Sequence, residues 1–346
     1  MFMRRLTRTF ATAALATALA VVAGCSSDEP EETGGGNNAA ANGTPVKVTY
    51  LTSFGNFGRD SYAWVALEKG FFRDAGFEVD VQKGQGTGGN ITAIVSGKAD
   101  YTPIDLTGGL LQLGKGVKDF TAVAAIQQRT MAAIATTEDK NIKTPKDLEG
   151  KTLADTPGSV VRNLFPTYAK LAKIDYNKVK WQDGEAATLI ATLGSGKVDG
   201  IGQFVVGRPT IAAVTKKTPV FLPYSDYLTD LYGNVLVTST KNAKEKPDQV
   251  KAFAAALLKG LEYALANPKE AADILKAKDP TANPVAAQAE LELMGAFVRS
   301  AGSGEKIGTI DTQRVARSIA ILQGAGQVPA GLTPEQIISV DLTPKA

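Results

Sequence analysis

Along the chain, short runs rich in β-branched and aromatic residues alternate with stretches whose apolar positions recur every three or four residues. Segments 46–52, 77–82, 100–104, 120–126 and 131–136 read as strands. Helices are predicted over about 61–69, with Asp60 as N-cap and Gly70 as stop, and over 90–96. This alternation is the signature of βαβ units around a largely parallel sheet. After a strand at 235–239 the pattern becomes helical: Val250, Phe253, Leu257, Leu261 and Leu265 share one face, with Pro247 at an early position. Further helices are expected from Pro268 through Leu275, over 284–300 and over 311–322.

A weak internal repeat divides the chain. Ile94-Val95-Ser96-Gly97-Lys98-Ala99-Asp100 returns as Leu193-Gly194-Ser195-Gly196-Lys197-Val198-Asp199, each closing a helix with glycine and opening a strand. The flanks correspond as well, 46–52 with 151–155 and 77–82 with 179–181. Two similar α/β lobes are the expectation, each a mostly parallel sheet flanked by helices. The helical tail must cover apolar surface, so the chain is expected to return to its first lobe. That gives lobe I as 46–137 plus 235–346, lobe II as 138–234, and two hinge crossings near 137 and 235.

The first 24 residues have the layout of an export signal: Arg4, Arg5 and Arg8, an apolar run over 10–22, then small residues before Cys25. Val22-Ala23-Gly24-Cys25 resembles the bacterial lipobox, which implies cleavage before Cys25 and its modification with lipid. The rival reading, a spanning helix, is diluted by Thr9, Thr12, Thr17, Gly24 and Ser26. Residues 26–45 are Gly-, Asn- and Glu-rich without a large apolar side chain, so 25–45 reads as a flexible tether.

Removing the leader changes the charge balance. The chain has 38 basic and 35 acidic residues, and three of the basic ones fall in the leader, so the mature protein is neutral. Nucleic acid as partner loses its support. Cys25 is the single cysteine and histidine is absent. That excludes internal disulfides, thiolate or imidazole metal sites and Ser-His-Asp catalysis. No metal, cofactor or catalytic residue is expected, and the body reads as a monomer.

Several landmarks carry a family likeness. Trp64-Val65-Ala66-Leu67-Glu68-Lys69-Gly70-Phe71-Phe72-Arg73-Asp74-Ala75-Gly76-Phe77-Glu78-Val79 resembles an "A-x-x-K-G-x-F-x-x-x-G-l-x-V" segment, and Ser96-Gly97-Lys98-Ala99-Asp100, Asp147-Leu148-Glu149-Gly150-Lys151 and Tyr232-Gly233-Asn234 fit beside it. The chain thereby resembles the substrate-binding proteins of ABC importers, in the branch that includes nitrate, sulfonate, taurine and thiamine-pyrimidine-precursor binders. The resemblance implies a two-lobed, type II periplasmic-binding-protein fold. It also implies an extracytoplasmic receptor that closes on a small solute, a heteroaromatic such as a pyrimidine precursor or a sulfonate, and hands it to a membrane permease. Two alternatives stay open: an enzyme of the thiamine-pyrimidine-synthase type, whose histidine and cysteine-rich segment this chain lacks, and a surface sensor or partner-docking protein.

In such sheets the ligand lies beyond the carboxyl ends of the strands, where loops feed helix N-termini. Phe54, Phe57 and Tyr62 in the first loop are candidates for stacking on a flat ligand, with core packing as the rival role. Arg59 is a candidate for pairing with an anion, against a solvent-facing or interlobe pair. Gly84-Gln85-Gly86-Thr87-Gly88-Gly89 carries the G-x-G-x-x-G spacing with Asp105 about 20 residues on, but it follows the second strand rather than the first. A tight loop presenting N–H groups and Thr87 to a ligand is the better reading. Asp105 is expected to meet a ligand donor or to cap the helix from Leu106. Ser159 and Val160 open a helix with Ser159 as N-cap, and Phe204, Tyr232 and Asn234 complete the candidate cleft.

Overall fold

The computed structural model describes residues 44–299 and 306–345. The leader, Cys25 and the tether up to residue 43 lie outside the described residues. In chain order the strands are β1 (Val46–Leu51), β2 (Phe54–Gly55), β3 (Phe77–Gln82), β4 (Gly84–Gln85), β5 (Tyr101–Asp105), β6 (Phe120–Ala125), β7 (Ala132–Thr137), β8 (Thr152–Asp155), β9 (Lys180–Asp183), β10 (Gly200–Phe204), β11 (Pro219–Pro223) and β12 (Asn234–Ser239). The helices are α1 (Ser61–Glu68), α2 (Phe71–Asp74), α3 (Thr87–Val95), α4 (Leu106–Gly114), α5 (Val160–Leu171), α6 (Leu189–Gly194), α7 (Arg208–Thr215), α8 (Thr240–Glu245), α9 (Pro247–Ala266), α10 (Pro268–Lys278), α11 (Pro284–Val298) and α12 (Thr312–Gly324).

Ten of the strands form two five-stranded sheets, β3-β1-β5-β12-β6 and β9-β8-β10-β7-β11, and β2 and β4 pair with each other. The repeat in the sequence is therefore a repeat in topology. In each five-stranded sheet four strands run in one direction, and the fourth in order, β12 or β7, pairs antiparallel with both neighbours. That fourth strand is the one by which the chain enters from the other sheet.

One crossing lies earlier than the sequence pattern suggested. β7 belongs to the second sheet, so the chain passes between sheets after Ala125 and before Ala132 rather than near 137. Every residue of β7 is buried, so it shows no solvent-facing side to tell one sheet from the other. The return falls between β11 and β12, close to the expected place. β11 itself was not anticipated.

β3 shows why these segments become strands. Phe77, Val79 and Val81 point inward while Glu78, Asp80 and Gln82 face out, the period of two that a half-covered strand requires. α9 covers that sheet with Val250, Phe253, Leu257 and Leu261. Phe253 stacks on Tyr101 at 3.9 Å and on Phe72 at 5.0 Å and meets the edge of Phe77 at 5.5 Å. Burying that one ring is worth roughly 1.5–3 kcal/mol. The tail thus closes over the first sheet, and the carboxyl ends of the parallel strands are left to the loops.

Candidate functional site

β1 and β5 in the first sheet and β8 and β10 in the second end at one place. Their last residues and the helix starts beyond them line a shared cleft: Ser53 and Phe54 after β1, Asp105 closing β5, Asp155 closing β8, and Gly202, Gln203 and Phe204 at the end of β10. Gly86 and Thr87 enter from the start of α3, Ser159, Val160 and Val161 from the start of α5, and Asn234 from the first position of β12. Asn234 sits opposite Asp105 in the ladder.

The glycine-rich loop is built against the end of β1. A Cβ on Gly84 would collide with the Thr52 carbonyl, and Gly86 has φ +85°, a left-handed conformation that favours glycine. Asn90 fixes the loop: its Nδ2 donates to the Thr52 carbonyl at 2.9 Å and to Thr102 Oγ1 at 2.8 Å, while its Oδ1 accepts from the Gln85 N–H at 2.9 Å. α3 consequently starts at Thr87, three residues before the predicted 90.

Each lobe contributes one buried carboxyl. Asp105 caps α4, accepting from the Gly108 N–H at 3.1 Å and from Thr130 Oγ1 at 3.2 Å. Asp155 accepts from the Thr156 N–H at 2.7 Å and from the Ser159 hydroxyl. Burial pushes the first carboxyl up to about 6 and the second to about 7, despite those donors. Ser159 meanwhile caps α5 as predicted, its Oγ accepting from the Arg162 N–H at 3.0 Å.

The side walls are apolar. Phe54 from the first lobe meets Phe204 from the second edge-on, with centroids 6.2 Å apart. Ile104, Val160 and Val161 complete them. The space open to the centre of a water molecule is only about 20 Å³, room for little more than one water. A ring-sized solute therefore enters only if the lobes part.

Of the predicted residues, the cleft wall brings together Phe54, Thr87, Asp105, Ser159, Val160, Phe204 and Asn234. Four stand away from it. Phe57 lines a separate interlobe cavity with Asn56, Ile190 and Ala287. Tyr62 turns inward from α1, its hydroxyl 3.2 Å from that of Tyr50. The Tyr232 hydroxyl donates to Gln128 Oε1 at 2.6 Å. Arg59 is buried, 3.5 Å from Glu290 and 4.0 Å from Asp60, and its Nη2 donates to the Phe54 carbonyl at 3.2 Å. It holds the backbone of a wall residue rather than facing the cavity. Asp60 does not cap α1 with its side chain. A single 3-10 turn, Gly58–Asp60, precedes the helix, and the carboxylate turns back to accept from the Ser53 N–H at 3.0 Å and hydroxyl at 2.7 Å.

Sequence reasoning missed Asp155 and Gly202. Asp155 ends the strand that repeats β1, and an acid at the buried carboxyl end of a repeated strand was the available signal. A Cβ on Gly202 would strike the Asp155 carboxylate, so that glycine makes room for the acid.

Residues 61–271 match the family described as NMT1/THI5 like. The chain belongs to that family. Among curated proteins, the formylaminopyrimidine-binding protein of Halalkalibacterium halodurans is 25% identical over 226 residues, 64% of this chain and 68% of that one. A protein of Brucella abortus described as a putative binding protein is 22% identical over 245 residues, 68% of this chain and 72% of the other. Solved structures of similar fold include the alkanesulfonate-binding protein from Xanthomonas axonopodis pv. citri bound to MOPS, with TM-score 0.66, 15% identity, and coverage of 89% of this chain and 100% of that one. The periplasmic nitrate-binding protein from Synechocystis PCC 6803 superposes with TM-score 0.67 at 12% identity, over 86% of this chain and 87% of its own. This NMT1/THI5-like chain has the type II periplasmic-binding-protein fold, and its cleft lies where that fold's two sheets face each other.

Proposed function

We propose that this chain is the solute-binding component of an ABC importer, capturing a small organic solute between its lobes and delivering it to the permease without chemical change. The observation that carries the reading is the cleft walled by the carboxyl ends of strands from both sheets, so that one solute touches both lobes and favours their closure. The binding proteins among its relatives support it. A heteroaromatic solute suits the facing rings of Phe54 and Phe204. The protein acts outside the cytoplasm, held to the membrane by lipid on Cys25, and works as a monomer.

Thermal unfolding tests this. A solute at 100 times its dissociation constant adds about 2.7 kcal/mol to stability, and its uptake by the parent bacterium falls when the gene is deleted. If binding is found but uptake stays normal, the chain is a sensor and not a transporter subunit.

A further inference from the structure

Resting on that reading, the polar groups of the cleft define the kind of solute it takes. The lining contains Asp105 from one lobe and Asp155 from the other, and among the described residues neither lysine nor arginine joins them. Each carboxylate offers about four lone-pair positions; Gly108 and Thr130, with Thr107 close by, occupy most of those on Asp105, while Thr156 and Ser159, with the Arg162 N–H close by, leave room for a further donor at Asp155. Both side chains are almost wholly buried, so the remaining acceptor capacity is directed at the cavity or wasted.

A second, independent group points the same way. Gln203 is 2% exposed and lines the cleft. Its Oε1 accepts from the Phe204 N–H at 2.9 Å, which fixes the orientation of the amide, and its Nε2 then has no protein partner. A buried donor without an acceptor is costly, and a solute oxygen or ring nitrogen would complete it. Thr156 Oγ1, buried next to Gly86, is likewise without a partner.

An anion placed here would meet two carboxyl groups and no lysine or arginine of the lining, with only the N–H groups at the starts of α3 and α5 to offset its desolvation. We infer that the cleft selects a flat, neutral or cationic solute that donates N–H groups to Asp105 and Asp155 and offers an acceptor to the Gln203 amide, and that it rejects sulfonates and nitrate. The selectivity sits in three side chains: the acid at the end of β5, the acid at the end of β8, which Gly202 accommodates, and the amide of Gln203.

The test uses the whole folded body with three probes: 2,4-diaminopyrimidine, benzenesulfonate and nitrate, followed by titration calorimetry and thermal shift. The expected result is binding of the diamine, weakened about tenfold or more by Asp155→Asn and by Gln203→Leu, since bonds to charged or buried partners are of that order. Benzenesulfonate and nitrate should produce no shift with the parent chain, and Asp155→Asn should reduce the discrimination between diamine and sulfonate. That change in selectivity separates a recognition role from a merely structural one. Tighter binding of benzenesulfonate or nitrate than of the diamine overturns the inference while leaving the solute-binding reading intact, as does unchanged selectivity in Asp155→Asn. If no probe binds and no small molecule copurifies with the protein, the solute-binding reading fails, and the inference with it.

Discussion

The guanidinium carbon of Arg59 lies 5.2 Å from the centroid of the Phe204 ring, on the opposite lobe. Phe57 flanks the same guanidinium at 4.5 Å, and Glu290 of α11 lies 3.5 Å from its Nη1. Phe204 is also a wall of the cleft, so one ring joins the solute space to a buried charge in the other lobe. Closure around a solute and packing on Arg59 are then a single event.

Removing Arg59 leaves Glu290 and Asp60 buried without their cation. Arg59→Ala is expected to cost about 3–5 kcal/mol in denaturant unfolding, and the paired change Arg59→Met with Glu290→Leu to recover part of it, because only Asp60, which keeps its Ser53 donors, is then left without a cation. Equal losses for the single and paired variants would show that packing, not charge, governs the site.

The lobes also meet through backbone. A Cβ on Gly88 in α3 would stand 3.1 Å from the Gly158 carbonyl oxygen before α5, tighter than ordinary contact. Gly88→Val should act as a wedge: solute affinity falls about tenfold or more, the radius of gyration measured with saturating solute rises, and the ligand-free stability changes by less than about 1 kcal/mol. Unaltered affinity would mean that the lobes do not close at this contact.

Much of this organisation is legible in the sequence. The alternating strand β3, the α9 stripe and the repeated Ser-Gly-Lys segment announce two α/β lobes and a returning tail, because each follows from a periodicity of burial. The first crossing is not legible, since β7 is buried on both faces. The fate of Arg59 is hidden for another reason: its partner is 231 residues away. Glu290 does fall on the buried stripe of Ala286, Ala287, Leu291 and Met294, and a lone acid on an apolar helix face was a usable clue. Tyr62 was assigned by its loop, whereas the phase of α1 aims it at Tyr50.

The buried acids give a pH dependence of definite sign. Asp105 and Asp155 titrate near 4 when unfolded but at about 6 and about 7 when folded, so the native chain holds more protons between those values. Stability from these groups is therefore lost as pH rises from about 4 to about 7. Burial raises Asp60 and Glu290 as well, with the same sign. Glu149, held down to about 2 by the Asp175 N–H and Lys146, acts in the opposite sense, but only as pH falls below its unfolded value. The Tm of ligand-free protein should drop between pH 5 and pH 8, and Asp155→Asn should shallow the slope. A Tm that climbs over that interval contradicts the assignment.

The anchor has its own assay. Expressed as the full precursor in a lipoprotein-processing bacterium, the chain should partition with membranes and carry a diacylglycerol mass increment on Cys25, and Cys25→Ser should release it or leave its leader uncut. A soluble, unmodified mature chain in the parent form would remove the lipid tether from the account.

The most direct measurement is native mass spectrometry of the protein purified gently from a bacterium that makes it. A single small organic adduct at one copy per chain is predicted, retained by the parent protein and lost from a variant carrying Phe204→Ala and Asp155→Asn. No adduct from any growth medium, or an adduct held equally well by that variant, would contradict a solute cleft between these two sheets.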